Sequence, residues 1–225
     1  MSPLGPAVLA GLAGWGTVAG VDLVSFPQAL LSRPLITGAV TGLLVGAPEA
    51  GLQVGLLLEL FALDVLPVGA ARYPDYGPGV VGGVLVATGG ALDLTLGVAG
   101  GYALLVAVLG GWSLQALRRI NGRVLQRYAA GLAAGDAAAI HAVQHLGLAA
   151  DVGRSLLLSL VSIGGALALR EHLPATDRLA MVTAVAVGTA LAAAAGGAIR
   201  SAGRDARLRW LAVGAGLGLV MAALR

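Results

Sequence analysis

Residues 52–75 read LQVGLLLELFALDVLPVGAARYPD. Glu59 stands in the middle of an apolar run, Asp64 follows, and the chain then breaks into Pro67, Gly69, Arg72, Pro74 and Asp75. A carboxylate at the centre of a lipid-length helix costs about 2.5–3.5 kcal/mol on insertion scales. Such a group is held by a partner or faces a water-filled cavity. Irregular backbone at membrane depth survives only where protein or an aqueous cavity satisfies its N–H and C=O groups. A buried acid beside a segment broken by proline and glycine is the pattern of a ligand site between discontinuous helices.

The rest of the chain supports a membrane setting. Its 225 residues are 58% hydrophobic and 11% charged, with a mean hydropathy of +0.90. Soluble domains carry roughly 25% charged residues, so this chain lacks the polar surface a soluble protein needs. The apolar runs are continuous and rich in Leu and Ala rather than alternating, which excludes a transmembrane β-barrel. The reading is an all-α polytopic membrane protein of about seven to nine transmembrane or re-entrant segments, forming a single membrane domain over 1–225. Cysteine is absent, so no disulfide or Cys-based metal site is expected. Lysine is absent too, and the net charge of +3 rests on arginine. That balance fits positive-inside loops rather than nucleic-acid binding.

Residues 1–32 hold no Lys or Arg, so the positive region of a signal peptide is missing and the stretch 6–24 is expected to be kept as structure. Arg33-Pro34 follows, and Pro34 suits the first turn of a helix over 35–47. Pro48 and Glu49 are expected to break that run, and 50–66 to form the Glu59 segment. Residues 67–79 read as a loop or re-entrant turn, 80–92 as a half-helix, and 94–117 as a full span. Arg118, Arg119, Arg123 and Arg127 cluster next, and Arg200, Arg204, Arg207 and Arg209 form a second group. Both belong on the cytoplasmic side. Between them, 152–169 and 179–199 make an out-and-back pair, 129–150 reads as a separate amphipathic surface helix, and 210–224 as a last span. The chain thus divides into a motif-bearing half over 11–93, a basic and amphipathic link over 118–151, and C-terminal helices over 152–225. Gly16/Gly20, Gly42/Gly46, Gly51/Gly55 and Gly214/Gly218 have the spacing that lets another helix approach closely.

The ordered set Ser32-Arg33-Pro34-Leu35, Gly42-Leu43-Leu44-Val45-Gly46, Glu59, Val68-Gly69-Ala70-Ala71 and Pro74-Asp75 resembles the mannose/fructose/sorbose-type enzyme IIC of the sugar phosphotransferase system. The resemblance is best over residues 11–93. It implies an elevator-type permease subunit in a bacterial cytoplasmic (inner) membrane. Such a subunit binds and translocates a hexose together with a IID membrane subunit, in an oligomeric complex. Soluble IIA and IIB phosphocarriers supply the phosphoryl group, so the phosphoryl-transfer residues lie on other subunits and no cofactor or metal is expected. Carried over residue by residue, Glu59 matches the family's helix carboxylate, Gly69, Ala70, Ala71, Pro74 and Asp75 its loop, and Arg33-Pro34 its His-Arg-Pro element. The family's histidine falls on Ser32, its upstream acid on Gln28 and its loop asparagine on Pro67. These departures put the sugar specificity in doubt and keep two alternatives open. One is a non-transporting regulatory or assembly subunit descended from such a permease. The other is a cation-coupled secondary transporter using Glu59.

The substrate-binding candidates are Glu59, Asp75, Arg72, Gly69, Ala70, Asp64 and Arg33. A carboxylate can accept two sugar hydroxyls at once, and Glu59 is the leading candidate on that ground. Its bland reading is a structural carboxylate capped by Arg33 or Arg72. Asp75 with Arg72 and Tyr73 is as well read as an interfacial ion pair beside an aromatic anchor as a sugar contact. Asp64, Asp22 and Asp93 read better as helix ends. His141 and His145 share a helix face but lack a third metal ligand, and a solvated face is the better reading. Gly77-Pro78-Gly79-Val80-Val81-Gly82 matches a dinucleotide-binding fingerprint in spacing only, since no strand precedes it.

Overall fold

Prolines open three of the first helices. Pro6, Pro34 and Pro48 each sit in the first turn of α1 (Pro6–Asp22), α2 (Pro34–Leu44) and α3 (Pro48–Ala62), where a missing N–H costs nothing. The computed structural model describes residues 4–63, 73–172 and 176–201, with backbone alone for 93 and 192–201. The remaining elements are α4 (Tyr76–Ala87), α5 (Leu92–Arg127), α6 (Ala129–Ala133), α7 (Ala137–His172) and α8 (Asp177–Ser201). The described residues hold no strand.

The expected break at Pro48-Glu49 is therefore a helix start. What ends α2 is Gly46, at φ +71°. Its N–H donates to Leu43 O at 3.2 Å, and that of Ala47 donates to Gly42 O at 2.8 Å, a Schellman closure. α3 folds straight back on α2 with backbones in contact. A Cβ on Gly38 would strike the Gly51 carbonyl and the Gly55 backbone, and one on Gly42 would lie 2.9 Å from Gly51 Cα. Of the four glycine pairs, Gly51/Gly55 thus packs on Gly38 and Gly42, and Gly16/Gly20 packs on Ser159 and Ser155 of α7. Gly42/Gly46 divides between packing and turn, while Gly214/Gly218 lies outside the described residues.

α4 is buried at all 12 positions. Its glycines are its packing surface: Gly77 meets Ala19 of α1, Gly79 meets Ala103 and Ala107 of α5, and Gly82 meets Ser162 of α7 and Tyr102 of α5. That accounts for the dinucleotide-like spacing in purely steric terms. The half-helix expected over 80–92 starts earlier, at Tyr76, and stops at Ala87.

Two long helices frame this assembly. α5 and α7 have 36 residues each, about 54 Å at 1.5 Å per residue, and both are long and apolar enough to cross a membrane. α5 contains the span expected over 94–117 and continues through the arginines to Arg127. α7 joins most of the surface helix expected over 129–150 to the span expected over 152–169. The change in polarity near residue 150 is not a helix stop, because no proline or helix-ending glycine accompanies it and Asp151 is neutralised inside the fold. The region 118–151 comprises the end of α5, the short α6 and the start of α7. α8 packs on the N-terminal half of α5, with Gly97 against Thr183 and Gly100 near Val187. Leu43, Leu105, Trp112, Leu157 and Val161 point outward, giving the bundle an apolar exterior. The molecule is a polytopic helical membrane protein, as its composition predicts. The span expected over 210–224 lies outside the described residues.

Candidate functional site

α1 and α3 end, and α2 and α4 begin, at one level of the bundle. The Asp75 N–H donates to the Ala107 carbonyl at 2.9 Å, which places that level about 22 Å along α5 from Leu92. The segment 23–33 closes it on one side and residues 73–75 on the other. Four helix termini thus meet inside the bundle rather than at its surface, and their spare N–H and C=O groups must be satisfied there.

Asp22 performs part of that task. Its carboxylate is 2% exposed and accepts the Ala29 N–H at 2.6 Å and the Ser32 N–H at 2.9 Å. Thr37 Oγ1 donates to Leu31 O at 2.8 Å, and Arg33 N–H donates to Leu30 O at 3.0 Å. These bonds hold Gln28 and Leu30 at φ +57° and +64°, a left-handed conformation that costs a non-glycine residue about 1–2 kcal/mol. A surrounding structure that over-determines the backbone is what keeps such residues in place.

The loop, the helix ends and Tyr73 enclose a cavity of about 340 Å³. Asp22, Gln28, Ser32, Arg33, Tyr73 and Tyr76 supply its polar atoms. Arg33 forms an ion pair with Glu59 Oε1, and Glu59 Oε2 accepts the Leu35 N–H at 3.1 Å. Glu59 therefore caps α2 from α3 and orients the arginine. The pair stays partly open, with side chains 34% and 16% exposed. Arg33 lines the cavity; Glu59 stands behind it.

Asp75 is elsewhere. Its side chain is 0% exposed and accepts from Arg154 Nη1 at 2.9 Å. Arg154 Nε donates to Asp151 at 2.9 Å, and the guanidinium also reaches Ser113, Ser155 and the Gly20 carbonyl, at 3.2, 3.1 and 3.4 Å. Ser25 Oγ donates to the other oxygen of Asp151 at 2.5 Å. One arginine, 8% exposed, so ties α1, the start of α4, α5, α7 and the loop together. Desolvating a guanidinium and two carboxylates is affordable only with this many partners.

Of the candidates read from the sequence, the structure brings Arg33 and Glu59 together at the cavity. It sets Asp75 against Arg154, and Asp75 is not among the described residues that line the cavity, although its neighbours Pro74 and Tyr76 are. Asp64, Gly69, Ala70 and Arg72 lie outside the described residues. His141 and His145 stack with ring centroids 6.2 Å apart on α7, and no metal-binding cluster occurs among the described residues. Sequence reasoning passed over Asp151 and Arg154, and read Asp22 only as a helix end. The signal for Arg154 was available, as an arginine inside an apolar span has the same claim to notice as Glu59. Asp22 had none, because a carboxylate that accepts backbone N–H groups seven and ten residues ahead looks like any helix-terminal acid.

The family model described as the PTS system sorbose-specific IIC component matches residues 6–201. The PTS system sorbose-specific EIIC component of Lacticaseibacillus casei is 34% identical over 96 residues, which span 43% of this chain but only 34% of that protein. Among solved structures, one described simply as a membrane protein superposes with a TM-score of 0.77 at 18% identity, covering 99% of this chain and 96% of that one. The cryo-EM structure of the mannose transporter ManYZ with microcin E492 contains a chain that superposes with a TM-score of 0.61 at 17% identity, with 99% and 96% covered. At such identities the two superpositions establish a shared fold. The family match, which takes in all eight described helices, establishes more: the chain belongs to the sorbose-specific IIC component family of the sugar phosphotransferase system.

Proposed function

We propose that the protein is the IIC permease subunit of a phosphoenolpyruvate-dependent sugar phosphotransferase system in a bacterial cytoplasmic membrane, and that it binds a hexose in the cavity between Asp22, Arg33 and Tyr73. The observation that carries this reading is the polar cavity at the level where four helix ends meet. Its volume of about 340 Å³ falls within the range of about 300–1,000 Å³ typical of small-molecule sites. Its groups suit a neutral polyol. Arg33 offers fixed N–H donors, Gln28 and Ser32 can donate or accept, and Tyr73 and Tyr76 offer rings to the apolar faces of a sugar. Glu59 holds the arginine in position, and Asp22 holds the loop that bears Gln28 and Ser32. In this reading the subunit translocates the sugar with a IID membrane subunit and soluble IIA and IIB carriers phosphorylate it, and family membership supports that assignment. The apolar exterior of the bundle leaves room for a membrane partner.

Phosphoenolpyruvate-driven uptake tests this. Cells expressing the chain with its native neighbours, offered labelled mannose and sorbose, should accumulate label only when phosphoenolpyruvate can be made. Arg33→Gln should raise the KM about tenfold, as expected when a charged donor to the ligand is lost. Uptake that ignores phosphoenolpyruvate and collapses with an ionophore would overturn the reading in favour of a cation-coupled transporter.

A further inference from the structure

α5 carries its exposed side chains in one strip. Leu105, Trp112 and Arg119 are spaced by seven residues, and each such step turns only about 20° round a helix. Leu105 is 59% exposed and Trp112 63%, with Val108 and Leu109 beside them at 40% each. Arg119, Arg123 and Arg127 follow at intervals of four, all exposed. The opposite face of α5, with Ala103, Ala107, Leu114 and Leu117, is buried. Distance along the helix sorts the strip into layers. Trp112 stands about 30 Å from Leu92, and the hydrocarbon core of a bilayer is about 30 Å thick. The strip is thus apolar through the core, has a tryptophan where the core meets water, and reaches Arg119 about 10 Å further on. Arginine side chains at such positions reach back to the headgroups, and Arg123 follows about 6 Å beyond. Arg127, about 22 Å past Trp112, lies beyond the headgroup layer. None of the three forms an ion pair within the described residues. A small, mostly apolar cavity of about 140 Å³ opens beside the indole, between Val108, Gly111 and Trp112 of α5 and the chain at Tyr73-Pro74. It lies where that chain crosses α5 at Gly111, whose missing Cβ lets the Tyr73 carbonyl come close.

We propose that this strip is a binding site for an anionic phospholipid, with its phosphate held by Arg119 and Arg123 and one acyl chain passing Trp112 into the cavity at Val108 and on along Leu105. The apolar part alone would suit any lipid chain, and the arginines alone would mark only the cytoplasmic side. Set on one line, one turn of helix or two apart, they match the two ends of a single phospholipid. Guanidinium groups pair with phosphate oxygens through charge-assisted, bidentate hydrogen bonds. A zwitterionic headgroup brings its own ammonium to the same two cations, whereas a headgroup of net negative charge does not, so the arginines select the anionic class. Tyr73 and Pro74 border both this cavity and the first one. An acyl chain seated beside Trp112 therefore abuts the wall of the first cavity.

The test uses the full-length protein, purified in detergent with the membrane proteins that accompany it. Phosphatidylglycerol and phosphatidylcholine with identical acyl chains are titrated in, and bound lipid is counted by native mass spectrometry. Wild type should bind phosphatidylglycerol about twentyfold more tightly, from about fivefold for each of two arginines at a headgroup. Arg119→Gln and Arg123→Gln should each weaken phosphatidylglycerol by about fivefold and leave phosphatidylcholine within about twofold. Both side chains are exposed, and if one variant does not fold the other carries the test. Arg119→Lys should keep most of the affinity. Arg127→Gln, an equal charge change one turn beyond Arg123, should bind like wild type. Phosphatidylglycerol brominated on its acyl chains should quench the tryptophan fluorescence of the protein, and Trp112→Phe should remove most of that quenching. Equal binding of the two lipids, an equal loss in Arg127→Gln, or quenching that survives Trp112→Phe would each overturn the site. Glycerol 3-phosphate binding as tightly as phosphatidylglycerol would reduce it to a phosphate site without a lipid. Lipid that binds the isolated chain but not the complex would overturn it as well, and assign the strip to a membrane partner.

Discussion

The two arginine–carboxylate groups of this protein use the same chemistry in opposite surroundings. Arg33 and Glu59 join α2 to α3 at the rim of a cavity, with side chains 34% and 16% exposed. Arg154, Asp75 and Asp151 join α1, α4, α5 and α7 in the interior, at 8%, 0% and 1%. Partly exposed pairs contribute about 0–1 kcal/mol, whereas removing one partner of a buried pair costs about 3–5 kcal/mol. The interior group therefore reads as architecture and the rim pair as equipment, since water and a ligand's hydroxyls can replace one of its partners at little cost. An intramembrane charge marks a place of consequence in both cases, but only its surroundings say which kind.

Replacing the interior arginine is the strongest way to break this contrast. Arg154→Leu leaves two buried carboxylates without a cation, and the folded state should lose about 3–5 kcal/mol. Thermal unfolding in detergent should show a collapse in Tm or in folded yield; a Tm unchanged within error would refute the architectural role. A Cβ branch in the α2–α3 seam comes next. Gly51→Val has no space against the Gly38 carbonyl and Gly42 Cα, and overpacking of this kind costs about 1–3 kcal/mol. The same unfolding assay checks it, with Gly11→Val, in open space on α1, as the variant that should be silent.

Asp22→Asn lies between the extremes. It keeps one acceptor oxygen but leaves one of the Ala29 and Ser32 N–H groups without its carboxylate partner, at about 1–3 kcal/mol. Because those bonds shape the loop bearing Gln28 and Ser32, sugar affinity should fall along with Tm. A fall in Tm with affinity intact would detach the loop from the site. Glu59→Gln should move stability least, by under about 1 kcal/mol, because an amide oxygen can still accept from Leu35. Its effect should appear as a raised KM for uptake through a disordered Arg33. A large loss of Tm without a change in KM would reverse the comparison and make the rim pair the structural one.

Much of this was legible from residues alone. Charge scarcity and apolar run length specified the membrane and the helices, because a bilayer tolerates only backbone that satisfies its own hydrogen bonds. Pro34 as a helix start followed from its missing N–H. The importance of Glu59 followed from the cost of an acid in lipid, and its pairing with Arg33 was among the readings that cost allowed. The break at Pro48 was read correctly as a boundary between two helices, but the stop belongs to Gly46 and Pro48 opens the next helix, a division proline alone does not reveal. The unity of α7 was missed because a change in polarity near residue 150 looks like a boundary when the partner of Asp151 is unknown.

What the sequence determined by itself was the class of the molecule, the discontinuity of its first half and the presence of charges that lipid cannot hold unpaired. These are properties of single segments in a known solvent. Only the tertiary structure decided which carboxylate meets which arginine. Asp75 and Arg154 are 79 residues apart, and Ser25 and Asp151 are 126 apart. Pairing over such separations depends on how α1, α4, α5 and α7 pack, and that is set by glycine and serine contacts whose spacing recurs too often in this chain to identify partners. The same packing set Asp75 in the interior and left Arg33 facing the cavity, a distinction carried by neighbours rather than by either residue.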